Sequence, residues 1–130
     1  MPRKKSLKGR MSARKIKELA FYAGQCCLEK KANDVIILDL KKISQITDYF
    51  VIAEGYTDIH VRAVSGHLEE QVHKKFGVKP WHVEGIENAR WVLIDYVDFV
   101  VHVFQPETRQ FYQLERLWAD APQHEIKDEA

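Results

Sequence analysis

The sequence predicts an α/β fold in which a mixed sheet of about five strands is packed by helices. Three observations carry this. Short runs rich in Val, Ile and aromatic residues at 35–40, 49–53, 81–84, 91–95 and 98–104 have the composition of strands on a largely buried pleated surface. The stretches 12–31, 57–76 and 108–118 repeat apolar residues every three or four positions, as an amphipathic helix does. Strand-like and helix-like segments also alternate along the chain, the pattern of a sheet covered by helices.

Residues 1–11 are basic and nearly devoid of apolar side chains, and are expected to form a disordered tail. Ser12 is placed to cap the first helix, whose stripe of Ile16, Leu19, Ala20, Ala23 and Cys27 should face the core. The run 35–40 is apolar except for Asp39 and reads as a strand buried on both faces. A short polar connector suggests that 49–53 runs antiparallel to it. Thr57 caps the second helix with Asp58 in its first turn, Gly77 ends it, and Val61, Val64, Leu68, Val72 and Phe76 form its buried face. A right-handed crossover through that helix makes 49–53 and 81–84 parallel.

The polar break at 95–98 folds 98–104 back on 91–95 as a hairpin. Pro106 ends central strand structure, and Thr108 is expected to cap a helix running to about Trp118. Its Phe111, Leu114, Leu117 and Trp118 share one face and would cover the hairpin. Residues 120–130 read as a frayed tail, so the domain is expected to span 12–119.

A chain of 130 residues can bury a core without disulfides or metal. Its cysteines, Cys26 and Cys27, are adjacent and lack zinc-type spacing, which suits a reducing, cytoplasmic setting. The apolar runs are too short for a membrane span, and the N-terminus has no signal-peptide pattern. The net charge of +1 hides an asymmetry: 1–31 carry 10 Lys/Arg against 2 Asp/Glu, and 32–130 carry 10 against 17. An acidic body disfavours sequence-specific contact with nucleic acid and fits a basic protein partner.

No metal or catalytic constellation is legible. His60 and His67 are too far apart to chelate one ion, and His102 has no nucleophile or carboxylate fixed beside it by sequence. The carboxylates Asp39, Asp48, Glu54, Glu84, Asp95 and Asp98 gather near strand ends, where Mg²⁺ could bind only if they converged. No enzyme activity and no cofactor are expected. Trp81, Trp91 and Tyr96 lie beside Glu84, Asp95 and Asp98, the aromatic-and-acidic mixture that suits a partner rich in Lys and Arg. Tyr96, at the hairpin tip, is expected to be exposed.

Together these residues resemble the ribosomal silencing factors, also called Iojap-related proteins. The resemblance rests on DVIILDL at 34–40, ITDYFVI at 46–52, Glu84-Gly85, WVLID at 91–95 and DFVVHVF at 98–104. It continues through Arg109, Tyr112, Leu114, Glu115, Leu117 and Trp118. It implies a nucleotidyltransferase-like sandwich without known catalysis, and a homodimer when free. It also implies binding to the large ribosomal subunit through ribosomal protein L-fourteen, sterically blocking the small subunit and so repressing translation. The contact residues it suggests are Trp91, Asp95, Tyr96 and Asp98, with Glu84 as neighbour; Arg109, Tyr112 and Trp118 would hold the last helix on the sheet. The alternatives are a Mg-dependent nucleotidyltransferase-like enzyme and an RNA-associated ribosome assembly factor. One departure stands out: the family carries glycine where this chain has Val97. A β-branched residue resists positive φ, so a different or widened turn is expected.

Overall fold

A computed structural model describes residues 5–127. The first helix, α1 (Ala13–Glu29), starts where Ser12 accepts a hydrogen bond from the Lys15 amide, and it buries Ile16, Leu19, Ala20, Ala23, Gly24, Cys26 and Cys27. Full burial of a side chain such as Ile16 or Leu19 contributes about 1.5–3 kcal/mol. Strand β1 (Asn33–Asp39) pairs antiparallel with β2 (Tyr49–Glu54), as the short connector implied. Helix α2 (Asp58–Phe76) is capped by the Thr57 hydroxyl and ends at Gly77, whose φ of 69° no side chain opposes. Phe76 at its end is only partly buried.

Strands β3 (His82–Glu84), β4 (Trp91–Asp95) and β5 (Phe99–Phe104) form an antiparallel meander, and β5 then lies parallel to β2. The strand sense of β3 therefore matches that of β2, with β5 and β4 between them. Helix α1 packs against α2, and together they cover one sheet face, over Val35, Ile37, Val51, Ala53, Val92, Ile94, Val101 and Val103. No helix among the described residues is long and apolar enough to cross a membrane.

The sheet has six strands in the order β3-β4-β5-β2-β1-β6. The additional one, β6 (Gln123–Glu125), comes from the segment read as a frayed tail and pairs antiparallel with β1. Its three side chains are exposed, so backbone pairing chiefly holds it, helped by the His124 ring edge-on to Phe21 at 5.6 Å; Ile126, buried just after it, anchors the end. Residues 128–130 of that segment lie outside the described residues. At the other terminus, part of the stretch read as disordered is ordered. Residues Leu7–Gly9 form a 3-10 turn, and the Leu7 side chain enters the core. Residues 1–4 lie outside the described ones.

Two local expectations fail for identifiable reasons. The last helix starts at Pro106, not at Thr108, because proline's fixed φ suits the first helical position. It also divides: α3 (Pro106–Tyr112) and α4 (Leu114–Leu117) are separated by Gln113 at φ 47°. The break splits the single apolar face, leaving Phe111 and Leu117 in solvent while Leu114 and Trp118 pack on the sheet.

The hairpin turn is not widened. Val97 adopts φ 75° despite its branched Cβ, with the Asp98 amide donating to the Tyr96 carbonyl across a three-residue turn. Such a conformation costs a non-glycine residue about 1–3 kcal/mol. Val97→Gly should therefore stabilise the fold by about 1 kcal/mol after glycine's larger unfolded-state entropy is subtracted. The check is a higher urea midpoint at unchanged slope; an unmoved or lower midpoint would show that Val97 is unstrained.

Candidate functional site

The sheet's second face is the one that α1 and α2 do not cover. Strand alternation directs Phe50 and Ile52, Trp91, Leu93 and Asp95, and Val100, His102 and Phe104 to it. The C-terminal segment spans only part of this face: Leu114, Trp118 and Ala121 pack with Ile36, Leu38, Leu40, Ile52 and Phe104. Toward the β3 edge the cover is incomplete, and Trp91, Leu93 and Val100 remain half-buried. Glu84 pairs across β3–β4 with Leu93, and His82 with Asp95, so an acidic and an imidazole side chain fringe these apolar positions. A groove of about 680 Å³ opens beside Trp91, lined by Arg90, Gln105, Glu107, Phe111 and Tyr112. Phe111 is 79% exposed and Leu117 74%.

Arg109 fixes the segment that borders this groove. Its Nε donates to Glu115 at 2.6 Å, and its Nη1 donates to the Asp34 carbonyl at 2.8 Å and lies 3.5 Å from Glu54. Burial raises the Glu54 carboxyl pKa, and Arg109 partly opposes the shift. With Trp118 edge-on to Phe50 and Tyr112 4.9 Å from Trp91, this network anchors α3 and α4 as the sequence suggested for Arg109, Tyr112 and Trp118.

Trp91 is also tied from below. Its indole N–H donates to His102 Nδ1 at 3.1 Å, so the imidazole proton resides on Nε2, which meets no acceptor among the described residues. Burial pushes the His102 pKa down to about 3. Because that lies below the unfolded value near 6.5, the unfolded chain binds the extra proton between the two, and stability falls with falling pH in that window. From pH 7 to pH 5 the loss is about 2 kcal/mol, at about 1.4 per unit below 6.5. His102→Gln, which keeps an acceptor for Trp91, should lack this contribution. Urea unfolding at both pH values checks it: equal pH dependence in variant and parent would exclude His102 as the source.

Of the five residues expected to contact a partner, Trp91 and Glu84 reach the surface. Tyr96 does not. It is 2% exposed and stacks on Phe99 at 4.6 Å on the helix side, where burial raises its pKa. The hairpin tip folds over the end of the helical layer and does not project from it. Asp95 is largely buried, and its carboxylate accepts the Val97 amide at 2.7 Å. Asp98 is 4% exposed and accepts from Ser6 and Leu7. The strand-end carboxylates disperse onto separate partners: Asp39 to Lys41, Asp48 to Lys8, Glu54 to Arg109 and Glu84 to His82. No group of three metal-ligating side chains forms among the described residues. Leu93, Val100 and Phe111 are the surface positions that sequence reasoning missed; alternation in the two strands marks the first two once the helix-covered face is known.

Fold and surface together define an α/β domain with a mixed six-stranded sheet, one face closed by two helices and the other left partly open beside a tryptophan. The sequence profile described as "ribosomal silencing factor during starvation" matches residues 13–130, and the chain belongs to that ribosomal silencing factor family. It is 41% identical over 106 residues to the ribosomal silencing factor RsfS of Bacillus subtilis, covering 82% of this chain and 89% of that one. It is 33% identical over 92 residues to the mouse protein named mitochondrial assembly of ribosomal large subunit protein 1, covering 69% of this chain and 40% of that longer one. A crystal structure of a Chromobacterium violaceum protein superposes with a TM-score of 0.73 at 33% identity, covering 84% of this chain and 88% of that chain.

Proposed function

We propose that this protein represses translation by seating the open part of its sheet on the large ribosomal subunit, through ribosomal protein L-fourteen, where it blocks the approach of the small subunit. The observation that carries this reading is the half-open apolar surface of Trp91, Leu93 and Val100, fringed by Glu84 and bordered by exposed Phe111. Aromatic anchors within a polar rim are where binding energy concentrates at protein interfaces. The 17 acidic residues against 10 basic ones beyond residue 31 complement a basic ribosomal protein. Its action is steric, with no bond made or broken.

Subunit joining tests it directly. Purified large subunits are preincubated with a saturating excess of the protein and mixed with small subunits, and joining is followed by light scattering. Joining should be suppressed, and the protein should cosediment with large subunits. Undiminished joining would overturn the blocking mechanism even if cosedimentation persisted. A second reading, assembly of the large subunit, draws on the name of the mouse relative. It requires incomplete large subunits to accumulate on depletion while joining of mature subunits stays unaffected.

A further inference from the structure

Asp98 is nearly sealed from solvent, yet both carboxylate oxygens are engaged by one short segment from the far end of the chain. The Ser6 hydroxyl donates to Oδ1 at 2.6 Å, and the Leu7 amide donates to Oδ2 at 2.5 Å. Leu7 then inserts into the core, and Lys8 reaches Asp48 at 3.1 Å. The segment closes on itself as the Arg10 and Met11 amides donate to the Leu7 carbonyl. This is a latch: a buried carboxylate, an apolar slot and a second carboxylate hold residues 6–8 against the hairpin end. The Ser6 contact depends on the hydroxyl proton, because a carboxylate can only accept, while the same Oγ accepts the Lys8 amide at 3.1 Å.

Ser6 is itself exposed and directly follows Arg3-Lys4-Lys5 in the sequence, a basic lead-in of the kind through which charge patterns select kinase substrates. We propose that Ser6 is a phosphorylation site and that its phosphate opens the latch. In the reaction Ser6 Oγ attacks the γ-phosphorus of a nucleoside triphosphate and its proton passes to the kinase's base. The bond from the γ-phosphorus to the β,γ-bridging oxygen breaks, and nucleoside diphosphate leaves. The product has no hydroxyl proton to give Asp98, and it places a charge of about −1.5 to −2 beside a carboxylate shielded from solvent. The nearby Lys8 ammonium is shared with Asp48, which accepts from it at 3.1 Å. Like charges at that separation in a poorly screened site repel, so the Ser6 and Leu7 contacts are lost together and Leu7 leaves the core.

The test uses the full chain, and its readout is independent of ribosome binding, so failure here and failure of the repressor reading are distinguishable. The protein is incubated with ATP and a serine kinase that prefers basic residues before its target, the phosphate is mapped by mass spectrometry, and limited trypsin digestion follows. Incorporation at Ser6 is expected, with cleavage after Lys8 and Arg10 at least tenfold faster than in unmodified protein. Ser6→Glu should reproduce the rapid cleavage. In Asp98→Asn, which removes the repelling charge, phosphorylation should accelerate cleavage less than in the parent. Phosphate placed at other residues, or Ser6-phosphorylated protein digested at the unmodified rate, would overturn the proposal.

Discussion

Replacing Trp91 with alanine is expected to weaken binding to the large ribosomal subunit by roughly 30-fold or more, the effect of losing an interface anchor worth about 2 kcal/mol or above. The indole lies 4.9 Å from both Phe104 and Tyr112, donates to His102 and borders the groove under α3, so it is held in place before any partner arrives. A side chain already immobilised loses little entropy on binding. Trp91→Phe keeps the ring contacts but not the hydrogen bond, and should fall between parent and alanine. Folding and docking separate at Phe111: it is largely exposed, so Phe111→Ala should leave unfolding unchanged while weakening cosedimentation. Undiminished binding by Trp91→Ala, measured by cosedimentation with large subunits, would remove this residue from the interface.

The second large effect is on stability. Gly85 closes the connection between β3 and β4 at φ 87°, and a Cβ there would stand 2.1 Å from the Trp91 carbonyl oxygen. The obstructing atom is backbone, so no rotamer change relieves the clash, and the left-handed φ adds its own strain. Gly85→Ala should cost about 2–4 kcal/mol, chiefly by forcing β3 away from β4. Gly66 supplies the control: it is in α2 with open space around its absent Cβ, so Gly66→Ala should be neutral or stabilising by up to about 1 kcal/mol. Urea unfolding distinguishes the outcomes. A loss below about 1 kcal/mol for Gly85→Ala would mean that the connection yields easily. A destabilised Gly85→Ala protein should also bind large subunits poorly, because the displaced carbonyl belongs to Trp91.

Much of this architecture is legible before any coordinates. Ser12 and Thr57 announce helix starts and Gly77 a helix end because capping is decided by residues within one turn of each other. The hairpin of β4 and β5 follows from two β-rich runs and a four-residue break. The site was less legible. Adjacency in sequence grouped Tyr96 and Asp98 with Trp91, but alternation sends Tyr96 to the helix side while Trp91 faces the opposite way. Gln123–Glu125 carried no strand signal because three exposed polar residues paired chiefly through their backbone leave no periodic apolar pattern. Val97 misled in the other direction: its β-branch argued against positive φ, and the surrounding hairpin imposed it.

The sequence by itself determined the two long helices, with their caps and most of their buried stripes, and the order of the first five strands. These depend on hydrogen bonds and periodicities spanning a few residues. Only the tertiary structure decided which sheet face stays partly open, that the hairpin tip is buried, and that residues 6–8 and 123–126 are built into the fold. Those outcomes rest on contacts between distant segments, such as Ser6 and Leu7 with Asp98 across 92 and 91 positions, whose partners no local pattern names.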